Sequence, residues 1–111
     1  MKKLNILGTE YTVEIRNVKH DDFLQRCDGY CDKSSHRIVV REKDDTCELE
    51  DFRAYQKKCL RHEIIHAFLF ESGLAENFEH VKEFGHEETM IDWIAIQFPK
   101  MLQVFLEADA M

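Results

Sequence analysis

One long apolar stripe constrains the fold of this chain more than any other feature of its sequence. Apolar side chains recur at the spacing of one α-helical face, and they are Leu49, Phe52, Leu60, Ile64, Ala67 and Phe68. Residues 45–48 read D-x-x-E, the spacing of a capping box, and predict that the helix starts there. Gly73 can take the left-handed conformation that ends a helix. The predicted helix is about 26 residues or ~39 Å long, which leaves room for a break near Asp51.

Two histidines lie within this helix, one helical turn apart. The segment 61–67 contains His62-Glu63-x-x-His66, so both imidazoles project from the same face. Such a pair can bind one metal ion, and Glu63 can act as a general base toward a metal-bound water. The chain is rich in His and Glu, however, and the alternative is that both histidines are ordinary surface residues.

Size and composition predict a single globular domain. The chain has 111 residues, of which 44% are hydrophobic, enough for one modest core over residues 1–111. Its formal net charge is −7. This charge argues against binding to nucleic acid or to an anionic membrane surface, because both require clustered Lys and Arg.

The sequence contains no recognisable export signal or membrane span. After Lys2-Lys3, residues 4–10 are too few and too polar for the core of a signal peptide. No run approaches the ~20 apolar residues of a membrane helix, so we expect a cytoplasmic protein with reduced thiols. The cysteines lack a C-x-x-C pair, so we expect them to pack as small hydrophobes, with a structural zinc site as the alternative. They are Cys27, Cys31, Cys47 and Cys59.

The residues before the long helix have the features of short β-strands. Residues 3–17 alternate between apolar and polar and predict a hairpin that turns at Gly8-Thr9. Segments 29–32 and 36–41 predict a second strand pair, because residues 38–40 are β-branched. The intervening segment 21–27 fits either a short helix or a connection.

A second helix is predicted to begin around His86-Glu87, after a stretch without clear periodicity over residues 74–85. Pro99 cannot occupy an unbroken helix, so we expect a kink or an end there and a short final helix after it. The predicted core side chains are Met90, Ile91, Ile94, Ala95 and Phe98, followed by Met101, Leu102, Phe105 and Leu106. The expected fold class is α+β, with a small antiparallel or mixed sheet packed on the long helix and on a second helix.

A catalytic zinc site needs a third protein ligand in addition to two histidines. The metzincin pattern requires Gly and His where this chain has Leu69 and Ser72, so that class is excluded. The second helix offers Glu88-x-x-x-Asp92, two carboxylates on one face. One can bind metal while the other orients a metal-bound imidazole. Spacing alone also allows Glu87.

The combination of H-E-x-x-H and E-x-x-x-D on two consecutive helices resembles the gluzincin metallopeptidases. The resemblance implies a zincin-like fold and one Zn²⁺ ion bound by His62, His66 and Glu88. It also implies that Glu63 is the general base and that Asp92 orients an imidazole. The implied activity is hydrolysis of a peptide or protein substrate. Glu88 follows His66 by 22 positions, which is close to the gap in that class.

A narrower similarity is to the small bacterial and phage metallopeptidases of the ImmA/IrrE type. Residues 92–99 are similar in outline to the end of the Glu-bearing helix in that family. Segments 29–32 and 37–40 are similar to the strand pair that precedes the zinc helix there and in SprT-like proteins. The resemblance covers roughly residues 28–100 and implies a bacterial or phage peptidase.

Three questions stay open at the level of sequence. The donor that stabilises the oxyanion could be His80, His86, Tyr30 or Tyr55. The strand over residues 36–41 is a candidate for binding an extended substrate by edge pairing. The alternative to a peptidase is a non-enzymatic, zinc-stabilised binding module, whose metal would have four protein ligands and no open position.

Overall fold

The computed structural model of the protein describes residues 1–76 and 88–111. It contains one four-stranded mixed sheet and two long helices, which confirms the mixed α and β composition expected from the sequence. In chain order the elements are β1 (Lys2–Ile6), β2 (Thr9–Arg16), β3 (Gly29–Asp32), β4 (Arg37–Arg41), α1 (Phe52–Ser72) and α2 (Glu88–Glu107). Short 3₁₀ turns cover Val18–His20, Asp22–Gln25 and Leu74–Glu76.

The sheet has the strand order β1-β2-β4-β3. β1 pairs antiparallel with β2, as the predicted hairpin requires, and β3 pairs antiparallel with β4. After β2, the chain crosses through two 3₁₀ turns to the far edge, forms β3 and returns as β4 beside β2. The β2–β4 pair is therefore parallel, and β4 occupies an interior position in the sheet.

The core lies between one face of the sheet and the two helices. Its buried side chains are Leu4, Ile6, Tyr11, Val13, Ile38, Val40, Cys59, Leu60, Ile64, Ala67, Phe68, Met101, Val104, Phe105, Ala108 and Ala110. Val39 points to the opposite face of the sheet, because side chains alternate along a strand, yet it is also fully buried. The centre of the sheet is thus covered on both faces, which holds β4 and the adjoining part of α1 in fixed relation.

Helix α1 starts later than the capping-box pattern predicts. It begins at Phe52, and the Asp51 carboxylate caps it by accepting a hydrogen bond from the Ala54 N–H at 3.0 Å. The predicted start at residues 45–48 is wrong, because Asp44 accepts hydrogen bonds from the Thr46 N–H and folds that stretch into a turn.

The two ends of the predicted apolar stripe on α1 have different outcomes. Leu49 precedes the helix and is 48% exposed, so its assignment to the core is wrong. The predicted C-terminal end is confirmed, since Ser72 is the last helical residue and Gly73 caps it with φ 85°. The remaining members of the stripe from Leu60 to Phe68 are buried against the sheet.

Helix α2 is one continuous helix that contains Pro99, so the predicted end at this residue is wrong. Pro99 removes the hydrogen bond that would go to the Ala95 carbonyl. Both residues lie on the exposed side of the helix, where water can bind that carbonyl in place of the chain. The predicted start at His86-Glu87 lies outside the described residues, as does most of the segment 74–85.

The prediction of the α2 residues in the core is confirmed in part. Met101 and Phe105 are buried as predicted, together with Val104, and Trp93 packs at the edge of the core. The assignment is wrong for Ile94 and Phe98, which are 46% and 51% exposed, and for the exposed Ala95 and Leu106. Residues seven apart share a helical face, so Phe98 and Phe105 differ in their position along the helix rather than in the face they occupy. No helix in residues 1–76 and 88–111 is both long enough and apolar enough to cross a lipid bilayer.

Candidate metal centre

The two histidines of the H-E-x-x-H motif meet on the exposed side of α1. Their Nε2 atoms are 3.2 Å apart, and their ring centroids 4.9 Å apart. Two nitrogens bound to one tetrahedral zinc ion at ordinary Zn–N lengths lie about 3.3 Å apart. The pair therefore has the nitrogen spacing that one zinc ion requires.

Packing of α1 explains why these side chains point outward together. Ile64 and Phe68 are fully buried against the sheet, so the flank carrying His62 and His66 faces solvent. His66 stacks on Phe70, with ring centroids 6.3 Å apart and planes 24° from parallel. This stacking restricts the His66 ring on the side away from His62.

The side chain of Glu63, on α1, faces Gly29, the first residue of β3. It is 8% exposed, and a Cβ atom placed on Gly29 would lie 3.5 Å from its Cγ atom. Burial raises the pKa of Glu63, and the charges of His66 and His62 partly oppose this rise. A carboxyl group in this environment is a stronger base than an exposed glutamate, as a general base requires.

A cleft of about 220 Å³ opens at this place, between the start of β3 and α1. We call it the Glu63 cleft. It is lined by Asp28, Gly29, Tyr55, Cys59, His62 and Glu63, among others. The predicted general base and one predicted metal ligand thus share a solvent-accessible cleft.

The strand beside this cleft is β3, and this corrects the prediction for residues 36–41. β4 pairs on both sides and cannot accept a further strand, whereas β3 is one of the two edge strands within the described part of the chain. The Arg41 N–H donates to the Asp28 carbonyl at 3.0 Å. Because antiparallel bonding alternates along a strand, the main-chain groups of Gly29 and Cys31 point away from β4 toward the open edge.

Two of the four candidates for an oxyanion donor are among the described residues, and these two lie apart. Tyr30 alternates with Gly29, so it lies on the sheet face opposite α1, where its hydroxyl donates to Asp21 at 2.5 Å. Tyr55 lines the Glu63 cleft and donates to the Asp28 carboxylate. It precedes His62 by two helical turns, about 10 Å, so it borders the cleft at a distance from the histidine pair. His80 and His86 lie outside the described residues.

The predicted third ligand, Glu88, does not form a metal-binding group with the two histidines in the described part of the structure. Glu88 and Asp92 are exposed in the first two turns of α2. Among the described residues, no group of three or more His, Cys, Asp or Glu side chains is placed to hold a metal ion. The roles of Glu88 and Asp92 therefore stay predictions, and Glu87 lies outside the described residues.

The cysteines do not form a metal site within the described ranges. All four are free thiols, and Cys59 alone is buried while Cys27 is exposed. The expectation of buried packing therefore holds for Cys59 and is wrong for Cys27. Sequence analysis missed Gly29 as the residue that faces Glu63, because no local pattern links positions 34 residues apart.

Comparison with known proteins gives no match: neither a protein-family model, nor a curated protein, nor a solved structure matches this chain.

Proposed function

We propose that this protein is a zinc-dependent peptidase with a zincin-like arrangement of its helix and sheet. The observation that carries the proposal is the His62–His66 pair, with Nε2 atoms 3.2 Å apart, next to the buried Glu63. The edge strand β3 runs past the same carboxylate. A metal-binding pair, a base and a peptide-binding edge are the parts that such a reaction needs.

His62 and His66 would hold the zinc ion, since neutral imidazoles suit this metal. Glu88 is proposed as the third ligand and Asp92 as the carboxylate that orients an imidazole, both from the E-x-x-x-D pattern. When bound, zinc supplies a Lewis acid that polarises a carbonyl and lowers the pKa of water toward ~7.

Glu63 performs the proton transfers in this proposal. Its side chain is buried, with the Cγ atom against Gly29, and lines the cleft. Because burial raises its pKa, it can accept a proton from the attacking water and pass it to the leaving amine. Its position next to His62, with Oε1 4.0 Å from Nε2, keeps it close to the proposed metal without competing as a ligand.

The substrate is proposed to bind as an added strand on β3. The main-chain groups of Gly29 and Cys31 would hydrogen-bond an extended peptide and bring a carbonyl beside Glu63. Burial and the charges of Glu63 and Asp32 raise the pKa of Cys31 to about 12. Cys31 therefore remains a neutral thiol at the edge and is not a competing nucleophile.

Replacement of the base is the main test of this function. In Glu63→Gln we expect retained zinc and a loss of peptide cleavage of at least about 100-fold, because one general base is removed. Cleavage of a mixed peptide library is followed by mass spectrometry, and zinc by elemental analysis. Glu50→Gln, an exposed glutamate outside the cleft, is the matched control. Cleavage by Glu63→Gln at the rate of the parent would reject the mechanism.

Replacement of the ligands tests the metal. Protein purified without added zinc should contain about one ion per chain, and His62→Ala or His66→Ala should lose it, because either change leaves only two of the three proposed ligands. His20→Ala, which changes an exposed histidine elsewhere, should retain it. Equal zinc content in all three variants would contradict the assignment. Zinc held by four protein ligands without any cleavage would indicate a binding module instead.

A further inference from the structure

A second cavity adjoins the Glu63 cleft at the N-terminal end of α1. It has a volume of about 190 Å³ and lies between residues 44–49 and the first turn of the helix. Asp28 and Tyr55 line both cavities, and the Tyr55 hydroxyl donates to Asp28 across this shared wall. We call this second cavity the α1 pocket.

Part of the lining of the α1 pocket is apolar and aromatic. This part consists of Leu49, Phe52 and Tyr55, and its two aromatic rings have centroids 6.4 Å apart. Leu49 is about half exposed although it lies in this wall. A ligand with an aliphatic stem would cover this apolar surface.

The rim of the pocket carries excess negative charge. Asp28, Asp44 and Glu48 line it together with a single guanidinium, that of Arg41. Arg41 is already paired with Asp44, with a distance of 2.7 Å between Nη2 and Oδ2. Glu48 forms no ion pair with any described residue, and the Asp28 carboxylate is 3.9 Å from Arg41 and nearly half exposed. Two carboxylates are thus left without a full counter-charge.

These carboxylates are not arranged as a metal site. Within the described ranges, no three acidic, His or Cys side chains are close enough to hold an ion, and Arg41 separates Asp28 from Asp44. The combination of apolar walls with a negative rim matches an organic cation on an aliphatic stem, which Lys and Arg side chains provide. The guanidinium of arginine can in addition stack on Phe52 or Tyr55.

We propose that the α1 pocket is a specificity subsite that binds an arginine or lysine side chain of the peptide substrate. The inference rests on the proposed peptidase function. Glu63 faces Gly29, and the pocket begins at the preceding residue, Asp28. Because a strand rises about 3.3 Å per residue, the basic residue occupies a position within about two or three residues of the scissile bond.

The test compares otherwise identical peptides that carry arginine, norleucine or glutamate at each position around the cleaved bond. At one position we expect arginine to raise kcat/KM about tenfold over norleucine, from two partly exposed charge pairs. This preference should shrink as salt rises, because exposed charges are screened. Binding of the same peptides to Glu63→Gln, measured by fluorescence anisotropy, should show the same order of affinity without turnover.

Charge reversal at the rim gives the sharpest variant. Glu48→Lys leaves two acidic and two basic side chains in the lining, so it should abolish the arginine preference. Glu50→Lys, an equal charge change outside the pocket, should leave the preference intact. Glu48 is exposed and has no ion-pair partner among the described residues, so we expect its replacement to preserve the fold.

The outcomes separate this inference from the peptidase proposal. Cleavage with equal rates for arginine and norleucine at every position, or a preference that survives Glu48→Lys, overturns the subsite and leaves the peptidase intact. No cleavage by the parent, with arginine-selective binding that Glu48→Lys abolishes, rejects the peptidase and supports the pocket as a site for basic side chains.

Discussion

At the scale of single residues, the environment of Glu63 depends on the absence of a side chain at Gly29. A Cβ atom there would lie 3.0 Å from the Val39 carbonyl oxygen and 3.2 Å from Val40 Cγ1, in addition to its contact with Glu63. Such distances are tighter than ordinary van der Waals contacts, so β3 can approach both β4 and α1 only with glycine at this position. The edge strand and the base are thereby brought together.

We expect Gly29→Ala to lower both stability and activity. Relief of the contacts with Val39 and Val40 must shift β3, at a cost of about 1–3 kcal/mol for an overpacked site. The displaced strand would also move the main-chain groups proposed to bind substrate, so KM should rise. Urea unfolding and peptide kinetics measure the two effects. A variant with the parent's stability and KM would show that the close approach is unimportant.

At the scale of the helix, α1 starts from the cap Asp51 and not from the earlier cap that the sequence offers, Asp45. Asp51 caps the helix by accepting a hydrogen bond from the Ala54 N–H. Asp44 uses its side chain and carbonyl to close a turn onto Thr46 and Cys47. This turn occupies the residues that an earlier helix start would require.

Removal of each possible cap distinguishes the two starts. Asp51→Ala should lower the free energy of unfolding by about 1 kcal/mol, the usual value of an N-cap. Asp45→Ala, the matched control, should leave it unchanged, because this exposed residue caps nothing in the structure. Chemical denaturation with a common m-value measures both. A larger loss in Asp45→Ala than in Asp51→Ala would favour the earlier start.

At the scale of the whole molecule, contacts with other elements determine which apolar residues of α2 enter the core. Phe98 and Phe105 are seven residues apart and occupy nearly the same helical face, so periodicity alone cannot distinguish them. The C-terminal half of α2 carries the buried residues, and the residues that follow it are fixed to α1, where Arg61 donates to the Ala110 carbonyl at 2.6 Å. The buried half of the helix is therefore set by contacts with other elements.

Two phenylalanines on the same face of α2 test this difference in burial directly. Phe105 is 6% exposed and Phe98 51%. Phe105→Ala should cost about 3–5 kcal/mol, because it removes a buried ring and leaves a cavity, whereas Phe98→Ala should cost less than about 1 kcal/mol. Thermal and chemical unfolding of both variants provide the comparison. Equal losses would mean that the helix is also packed around Phe98.

The sequence alone determined the features that depend on residues close together in the chain. The hairpin of β1 and β2, the β3–β4 pair, the end of α1 at Gly73 and the shared face of His62 and His66 all follow from local periodicity and turn chemistry. Helical geometry by itself places two side chains four residues apart on one face, whatever the rest of the chain does.

Only the tertiary structure decided the features that join distant segments. It placed β3 rather than β4 at the sheet edge, set Gly29 against Glu63 and buried Phe105 rather than Phe98 in the core. It also formed the α1 pocket from residues of three separate segments. Strand order and helix orientation are set by the burial of apolar surface shared among all the elements, and no local pattern carries that information.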